Sequence, residues 1–391
     1  MRRRWGVLAI LCLARVAMGL HLQVVAAVAP FMMAELRLGY SELGTLIGVF
    51  MLPGVVLAVP GGLVSRKFGD TRALSGALVL LMAGTALLAL SPGFWPAVLA
   101  RVLSGAGGTL LTMQVAKIAT DWFAGRELST AIGVLLGTFP LGLAAVMAGL
   151  PLIASISSWR VAVGVVAASG LLILAAVLLF LRDHPDAQVA RMSRPPLWVI
   201  SRAEIGLVVL SGAAFSLLNA GLVIFTSFTP ALLLQRGYDE VQAGIMTSWT
   251  SWTAILTLPL AGLFLDRARP VTVWLLASAA LSAVVCVLVT SIEPVLLWIV
   301  LMAAALAPIA VGSMALPGEV LRSESRGTGF GLFFTTNYIG FGLLPAVAGY
   351  LVDWTGSAAA PIWFDSIIFA SIVPLVLLFR LLQHRQTAPA R

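Results

Sequence analysis

Two arginines lie deep inside apolar stretches of the sequence, where a charged side chain is unexpected. Arg15 lies within the stretch 6–30 and Arg101 within the stretch 94–118. A guanidinium presents a fork of N–H donors that matches a carboxylate, so two of them can clamp one anion. The alternative is that each arginine only donates to helix carbonyls or extends toward the end of its stretch. The pair therefore predicts either an anion site or two structural contacts.

Polar side chains close to Arg15 in sequence extend this candidate site. Gln23 lies about 80° around a helix from Arg15, so the two can share one face. His21 lies about 120° around the helix from Arg15, so the two can hardly face the same point. Because imidazole changes charge near neutral pH, His21 is a candidate for proton coupling. A hydrogen-bonded packing role for this histidine stays open.

A second set of candidates lies in the later part of the chain. Trp249 and Trp252 are three residues apart and share a helical face. Asn337 and Tyr338 are adjacent, and Asn219 lies in another apolar stretch. Together they predict an aromatic and amide wall that binds the non-ionic part of a substrate. The alternative is that the rings pack between helices and the polar groups bond to their own helix.

Membrane-spanning helices must position these residues. The chain has 391 residues, 60% apolar and 10% charged, with a mean hydropathy of +1.04. Globular domains are about 45–50% apolar and about 25% charged, so a soluble enzyme, a disordered chain and a fibrous repeat are excluded. Continuous apolar runs of about 20 residues favour helices over strands. We expect an all-α integral membrane protein with spans at 6–30, 43–64, 73–91, 94–118, 129–152, 159–181, 204–232, 241–264, 271–291, 294–317, 328–351 and 359–381.

The distribution of basic residues predicts the orientation. With a cytoplasmic N-terminus, 18 of the 24 Lys and Arg residues fall on the cytoplasmic side, 3 on the other side and 3 within spans. This asymmetry is typical of a protein with both termini inside, here in a bacterial inner membrane. The residues 2–14 also resemble the start of a signal peptide, but Arg15 interrupts the apolar run. The net charge of +8 forms no continuous basic face, so no nucleic-acid partner is expected.

No catalytic or metal-binding motif is found. Cys12 and Cys286 lie in apolar stretches, and the three histidines are scattered. No HExxH motif, nucleophile elbow or nucleotide-binding loop occurs, so we expect neither an enzyme nor a cofactor or metal. The expected partners are the lipid bilayer and a small-molecule substrate, bound by a monomer.

The chain divides into two similar halves. We predict a six-helix bundle over 1–181, a basic, proline-containing cytoplasmic linker over 182–203 and a second six-helix bundle over 204–391. GGLVSRKFGDTR follows span two and AGLFLDRARP follows span eight, each with a glycine before a basic cluster. The GxxxG pairs Gly44/Gly48 and Gly133/Gly137 predict helix-packing seams.

The repeated loop resembles a motif of the major facilitator superfamily, approximately G-x-x-x-D-R-x-G-R-R. The second copy fits through Gly262, Asp266 and Arg267, whereas the first copy has Arg66 in place of the aspartate and Asp70 four residues later. The resemblance implies two pseudo-symmetric bundles. It also implies that the loop aspartate holds a cytoplasmic gate shut by contacting the start of a helix in the other half. Asp266, beside Arg267, is expected to do so.

Arg66 has the wrong sign for this contact, so either Asp70 substitutes for the aspartate or the first gate contact is rewired. As an alternative, Arg66 is one more cation that sets the topology. The element Arg101–Gly105 is similar to the family's R-x-x-x-G pattern in span four. The stretch Lys117–Val134 resembles bacterial cyanate-permease-like permeases.

The resemblance also implies that spans one, four, seven and ten line a central cavity, where Arg15 and Arg101 would converge. Most acidic residues lie in loops or at span edges, and Asp365 is the nearest to an interior acid. We therefore expect a positively charged cavity and a secondary transporter that moves a small organic anion or acid-bearing metabolite by alternating access. An exporter of drugs or neutral metabolites is the alternative, favoured by the glycine-rich span five.

Overall fold

The computed structural model describes residues 2–58, 68–123, 127–181, 200–268, 270–322 and 324–387, and every regular element within them is a helix. The helices are α1 (Arg2–Ala27), α2 (Ala29–Leu36), α3 (Tyr40–Gly48), α4 (Pro53–Leu57), α5 (Asp70–Ala89), α6 (Phe94–Phe123), α7 (Leu128–Ile156), α8 (Trp159–Phe180), α9 (Arg202–Gln235), α10 (Glu240–Arg267), α11 (Val271–Ser291), α12 (Val295–Val320), α13 (Arg326–Thr355) and α14 (Ala360–Thr387).

Twelve segments of these described residues are long and apolar enough to cross a membrane, which confirms the predicted fold class. The second segment, Tyr40–Leu57, consists of α3 and α4. Between them the backbone N–H groups of Met51 and Leu52 donate three residues back, to Gly48 and Val49, and Pro53 has no N–H to donate. The helix is therefore interrupted within this span.

Two large hydrophobic cores underlie the two halves. One core consists of buried residues between 7 and 181, joined by Val223, Tyr338 and Phe341 from later in the chain. The other consists of buried residues between 207 and 379. Residues 182–199 of the expected linker lie outside the described residues, so the boundaries of the two bundles stay predictions.

The halves meet along α3 and α13. We call the face where α1 begins the N-terminal face, and the face where α3 and α10 begin the opposite face. A Cβ on Gly44 would lie 2.1 Å from the carbonyl oxygen of Pro345, and a Cβ on Gly48 would lie 2.1 Å from that of Gly342. Only glycine permits this backbone approach. The seam predicted from this GxxxG pair is therefore present, and it joins the two halves.

A second contact between the halves joins α7 and α10. A Cβ on Gly244, near the start of α10, would lie 2.6 Å from the carbonyl oxygen of Met147. A Cβ on Gly133 or Gly137, nearer the N-terminal face of α7, would meet nothing within 4 Å. The seam predicted for that second GxxxG pair is absent here. In the described residues, the halves therefore pack together toward the opposite face.

Candidate functional site

Arg15 lies between the two halves without an acidic partner. Its Nη1 donates to the Thr112 hydroxyl at 3.4 Å, and its guanidinium carbon lies 4.9 Å from the centre of the Phe139 ring. It also interacts electrostatically with Tyr338 of the other half. Within the described residues no carboxylate forms an ion pair with it. A half-buried cation without a counter-ion is costly, and an anionic ligand would offset that cost.

Arg101 does not join Arg15 in a clamp. Its side chain is fully buried, and its guanidinium lies 4.3 Å from the centre of the Phe50 ring. Its three nitrogens donate to backbone carbonyls of α1 and α3: Nε to Leu46 at 2.9 Å, Nη1 to His21 at 2.8 Å and Nη2 to Leu22 at 3.0 Å. Because the Arg101 guanidinium already donates to three backbone carbonyls, it does not point with Arg15 at a shared anion. The expectation that the two arginines form a clamp is therefore corrected. Arg101 ties α1, α3 and α6 together.

His21 lies inside the N-terminal half. Its ring is fully buried, with Nδ1 2.6 Å from the Thr85 hydroxyl of α5. Since that hydroxyl donates to the Leu81 carbonyl at 3.0 Å, Nδ1 is the donor in the contact with Thr85. Nε2 is buried without a hydrogen-bond partner among the described residues. The geometry therefore favours a packing role, and the structure provides no contact between His21 and Arg15.

Gln23 joins the two halves directly. It is buried, and its Nε2 donates to Thr226 Oγ1 at 3.0 Å and Ser227 Oγ at 3.3 Å, both on α9. The three residues lie on the opposite-face side of Arg15, because α1 runs from the N-terminal face toward the opposite face. In this conformation Gln23 therefore joins α1 to α9 on the opposite-face side of Arg15.

Two residues of the predicted amide wall, Asn219 and Asn337, bond to one another. The Asn219 amide donates to Asn337 Oδ1 at 3.0 Å and to the Phe215 carbonyl at 2.8 Å, which links α9 and α13. Tyr338 is 7% exposed and belongs to the core of the N-terminal half. Its ring lies against Gly54, where an added Cβ would fall 2.5 Å from the ring. The structure thus pairs Asn219 with Asn337 and places Tyr338 against the N-terminal half.

The two tryptophans lie on an exposed side of α10. Trp249 is 46% exposed and Trp252 is 38% exposed. They belong to an apolar stripe of α10, in which exposed residues follow one another at intervals of three or four positions. The stripe consists of Ile245, Trp249, Trp252, Leu256, Leu260 and Leu263. The buried side of α10, which includes Thr247 and Ser251, faces the other way. A continuous apolar stripe suits contact with lipid, which we favour over the predicted role of these rings in substrate binding.

The gate residues of the first half are only partly described, since Arg66 lies outside the described residues. Asp70 begins α5 and is 2% exposed. Lys117 of α6 donates to Asp70 Oδ1 at 2.8 Å and to Asp121 Oδ2 at 2.8 Å. In this conformation Asp70 is therefore held within its own half and does not contact a helix start of the other half.

The gate residues of the second half are exposed. Asp266 and Arg267 lie at the end of α10, and the Arg267 guanidinium donates to the Leu263 carbonyl of its own helix at 3.2 Å. Asp266 forms no ion pair with another described residue. Its expected partner is the region from Arg126 to Ser129. Of the side chains in that region, the structure describes the one of Glu127. The cytoplasmic contact of Asp266 stays a prediction.

A carboxylate contact of the expected kind is found at the opposite face instead. Asp353, at the end of α13, accepts the Tyr40 N–H at 2.9 Å and the Ser41 N–H at 2.7 Å, and it also accepts the Ser41 hydroxyl. These donors form the first turn of α3, where free N–H groups and the helix dipole favour a negative charge. Asp353 therefore fastens one half to the other.

Three residues of this arrangement are missing from the sequence-based prediction: Asp353, Thr112 and Phe139. The sequence does contain a signal for Asp353. This acid lies at the end of span eleven, on the same side of the membrane as the Gly-Tyr-Ser segment that begins span two. Thr112 and Phe139 had none, because their contact with Arg15 depends on how α6 and α7 rotate against α1.

Comparisons with known proteins agree with this architecture. The family model of the Major Facilitator Superfamily matches residues 11–239 and 208–391. The chain is 24% identical over 230 residues to the hexuronate transporter of Bacillus subtilis (strain 168), covering 56% of this chain and 54% of that protein. It is 27% identical over 260 residues to the 3-(3-hydroxy-phenyl)propionate transporter of Escherichia coli (strain K12), covering 65% and 62%. The matched part is thus less than two thirds of either relative.

A solved structure shares the whole fold. The crystal structure of a bacterial homolog to the human lysosomal transporter Spinster, in an inward-facing and occupied conformation, covers 100% of both chains with a TM-score of 0.77 and 19% identity. At this identity the likeness establishes the fold alone. The resemblance to the cyanate-permease-like branch stays a prediction. With twelve spans, two packed halves and a family match that extends across both, the chain belongs to the major facilitator superfamily, a family of membrane transporters.

Proposed function

We propose that this protein is a secondary transporter that moves a small organic anion or acid-bearing metabolite across the membrane by alternating access. The observation that carries the proposal is Arg15, a half-buried cation between the halves with no ion pair among the described residues. A carboxylate bound there would gain charge-assisted hydrogen bonds in a site of low dielectric. The protein acts as a carrier, and no catalytic step is needed.

Two of the relatives have names that fit an anionic substrate. Hexuronate and 3-(3-hydroxy-phenyl)propionate both carry a carboxylate, and they are the compounds in the names of two transporters similar to this chain. Each compound also has a polar body, either a sugar ring or a phenol. Tyr338 interacts electrostatically with Arg15, and the Asn219–Asn337 hydrogen bond joins α9 to α13, the helix that carries Tyr338. We propose that these groups bind the non-ionic part of the substrate.

The packing of the halves supports alternating access. The described contacts between α3 and α13 and between α7 and α10 lie toward the opposite face, whereas Asp266 at the N-terminal face is exposed. Two bodies that share a central site and close at one face at a time form a recurring transporter design. We place the N-terminal face in the cytoplasm of a bacterium, because most Lys and Arg residues fall on that side.

A ligand screen with purified protein tests the substrate class. We would measure the melting temperature with glucuronate, 3-phenylpropionate, and two neutral counterparts, glucose and 3-phenylpropanamide. At least one anion should stabilise the wild type, and Arg15→Gln should weaken its binding by about 30-fold or more, since losing one partner of a buried charge pair costs about 2–5 kcal/mol. Arg236→Gln is the matched control, because Arg236 pairs with Glu293 near the surface at the opposite face.

Two results would contradict the proposal. Equal stabilisation of the wild type and of Arg15→Gln by an anion would remove Arg15 from the site. Stabilisation by the neutral compounds alone would favour the exporter of drugs or neutral metabolites.

Orientation is tested separately, by fusing to the C-terminus a reporter enzyme that is active only outside the cytoplasm. We expect no reporter activity from this fusion. The monomeric state that we propose is tested by light scattering of the purified protein.

A further inference from the structure

A buried carboxyl group lies in the C-terminal half, away from the site of Arg15. Asp365 of α14 is fully buried. Its Oδ1 has no hydrogen-bond partner among the described residues, and the thiol of Cys286 on α11 lies 3.9 Å from its Oδ2. A thiol is a weak donor. The carboxyl group is therefore almost unpartnered in the apolar interior of the bundle.

Helix α9 closes over this carboxyl group. A Cβ on Gly221 would lie 2.8 Å from Asp365 Oδ1 and 2.5 Å from the ring of Phe369. Glycine at this position therefore leaves the space that the carboxyl group occupies. The arrangement encloses Asp365 between α9, α11 and its own helix.

The surroundings do not suit a metal ion. The nearby hydroxyls are already engaged, since Ser282 donates to the Ser278 carbonyl at 2.9 Å and Ser366 donates to the Ala283 carbonyl at 2.8 Å. The described residues contain no group of three or more His, Cys, Asp or Glu side chains that could hold a metal. Hard cations need several oxygen ligands, so the ligand that fits this carboxyl group is a proton.

The charges around Asp365 also favour a proton as its ligand. Cys286 is the titratable side chain in contact with Asp365, and among the described residues no Lys, Arg or His pairs with it. An ionised carboxylate without a partner in such a place is several kcal/mol less favourable than the neutral acid. We propose that Asp365 is a proton-binding site of the C-terminal half, occupied in this conformation, and that the proton exchanges when α9 moves against α14.

Helix α9 connects this site to the contact between the halves. Gly221 contacts Asp365, Asn219 bonds to Asn337, and Thr226 accepts from Gln23 of the other half. Because α9 and α14 belong to the same half, the enclosure of Asp365 opens only if a rearrangement of the halves also displaces α9 relative to α14. This site is distinct from Arg15 and does not depend on which substrate the protein carries.

Infrared spectroscopy of the purified, reconstituted protein tests the proposal without a substrate. At neutral pH, the difference spectrum between wild type and Asp365→Asn should show the carbonyl stretching band of a protonated carboxylic acid. After transfer to D2O, this band should shift with time as the proton exchanges. The matched control is Asp353→Asn, since Asp353 accepts backbone N–H groups and is expected to be ionised, so its substitution should leave the band in place.

Each other outcome overturns a defined part of the proposal. If the wild type lacks the band, or Asp365→Asn retains it, Asp365 is not a proton-binding site. A band that never shifts in D2O would show a permanently trapped proton and remove the exchange step. Asparagine is neutral and of similar size, so the variant should fold; equal melting temperatures check this. Because no ligand is added, failure here is distinguishable from failure of the anion screen.

Discussion

Asp353 Oδ2 accepts the backbone N–H of Ser41 at 2.7 Å, which places a carboxylate of the C-terminal half on the first turn of a helix of the N-terminal half. The contact closes the opposite face of the protein. It uses the same chemistry that the loop motif predicts for the other face. If the predicted contact of Asp266 forms, an acid at a helix start closes each face in turn.

Replacing the Asp353 carboxylate should loosen this closure. Asp353→Asn removes the charge but keeps an acceptor, so we expect a loss of about 1 kcal/mol and a rise of about 5-fold in the population that is open at the opposite face. The measurement is the maleimide labelling rate of a cysteine introduced at Ala26, which is buried between the halves, in a background without native cysteines. Asp239→Asn is the control, since Asp239 only caps its own helix. An unchanged labelling rate in Asp353→Asn would refute the contact.

The glycine seam should be sensitive to a single methyl group. Gly48→Ala would place a carbon 2.1 Å from the Gly342 carbonyl oxygen, whereas Gly133→Ala would meet nothing within 4 Å. Overpacking costs about 1–3 kcal/mol, so Gly48→Ala should lower the melting temperature and Gly133→Ala should not. Equal melting temperatures would mean that the seam does not hold α3 against α13.

Arg15 and Arg101 should separate into a binding residue and a structural residue. Arg101→Lys cannot reach the carbonyls of Leu46, His21 and Leu22 together, so it should destabilise the fold by about 1–3 kcal/mol. The surviving protein should keep the ligand-induced rise in melting temperature. Arg15→Lys should have the reverse effect, with little change in stability and weaker ligand binding. Loss of ligand response in Arg101→Lys without destabilisation would restore the predicted clamp.

Substitutions of Trp249 and Trp252 should differ from a substitution of Tyr338 in their effect on ligand affinity. Trp249→Leu and Trp252→Leu should leave ligand affinity unchanged, because both rings lie on the exposed apolar stripe of α10. Tyr338→Phe removes a hydroxyl that interacts electrostatically with Arg15, and it should lower affinity by about 5-fold, the equivalent of one hydrogen bond of about 1 kcal/mol between that hydroxyl and the substrate. Titration of each variant with the anion identified in the screen measures these effects. A large loss in either tryptophan variant would return that ring to the site.

Asp266 should act only when the N-terminal face closes. It is exposed here, so Asp266→Asn should leave the melting temperature unchanged. If its carboxylate contacts the start of α7 in the other conformation, transport in proteoliposomes should fall while the amount of protein in the membrane stays constant. Glu240→Gln, an exposed acid at the other end of α10, is the control. Unaltered transport by Asp266→Asn would contradict the gate contact.

The fold could be predicted because composition and long apolar runs leave only a bundle of membrane-spanning helices. The site could be predicted less well, because depth in a span does not specify direction. Arg15 and Arg101 both lie near mid-depth, yet Arg101 turns toward the carbonyls of α1 and α3. Trp249 and Trp252 share a face as their spacing requires, but tertiary packing decides that this face is exposed. The contact of Arg15 with Phe139 likewise depends on the rotation of α7.

The bonds of Arg101 have a mechanical consequence. The Arg101 guanidinium donates to the carbonyls of His21 and Leu22 on α1 and of Leu46 on α3. Because these bonds join the two helices, α1 and α3 cannot slide past one another freely. Arg15 is part of α1, and Ser41 is part of α3. We therefore expect a displacement of α1 near Arg15 to displace α3 as well, and with α3 the first turn at Ser41 that contacts Asp353.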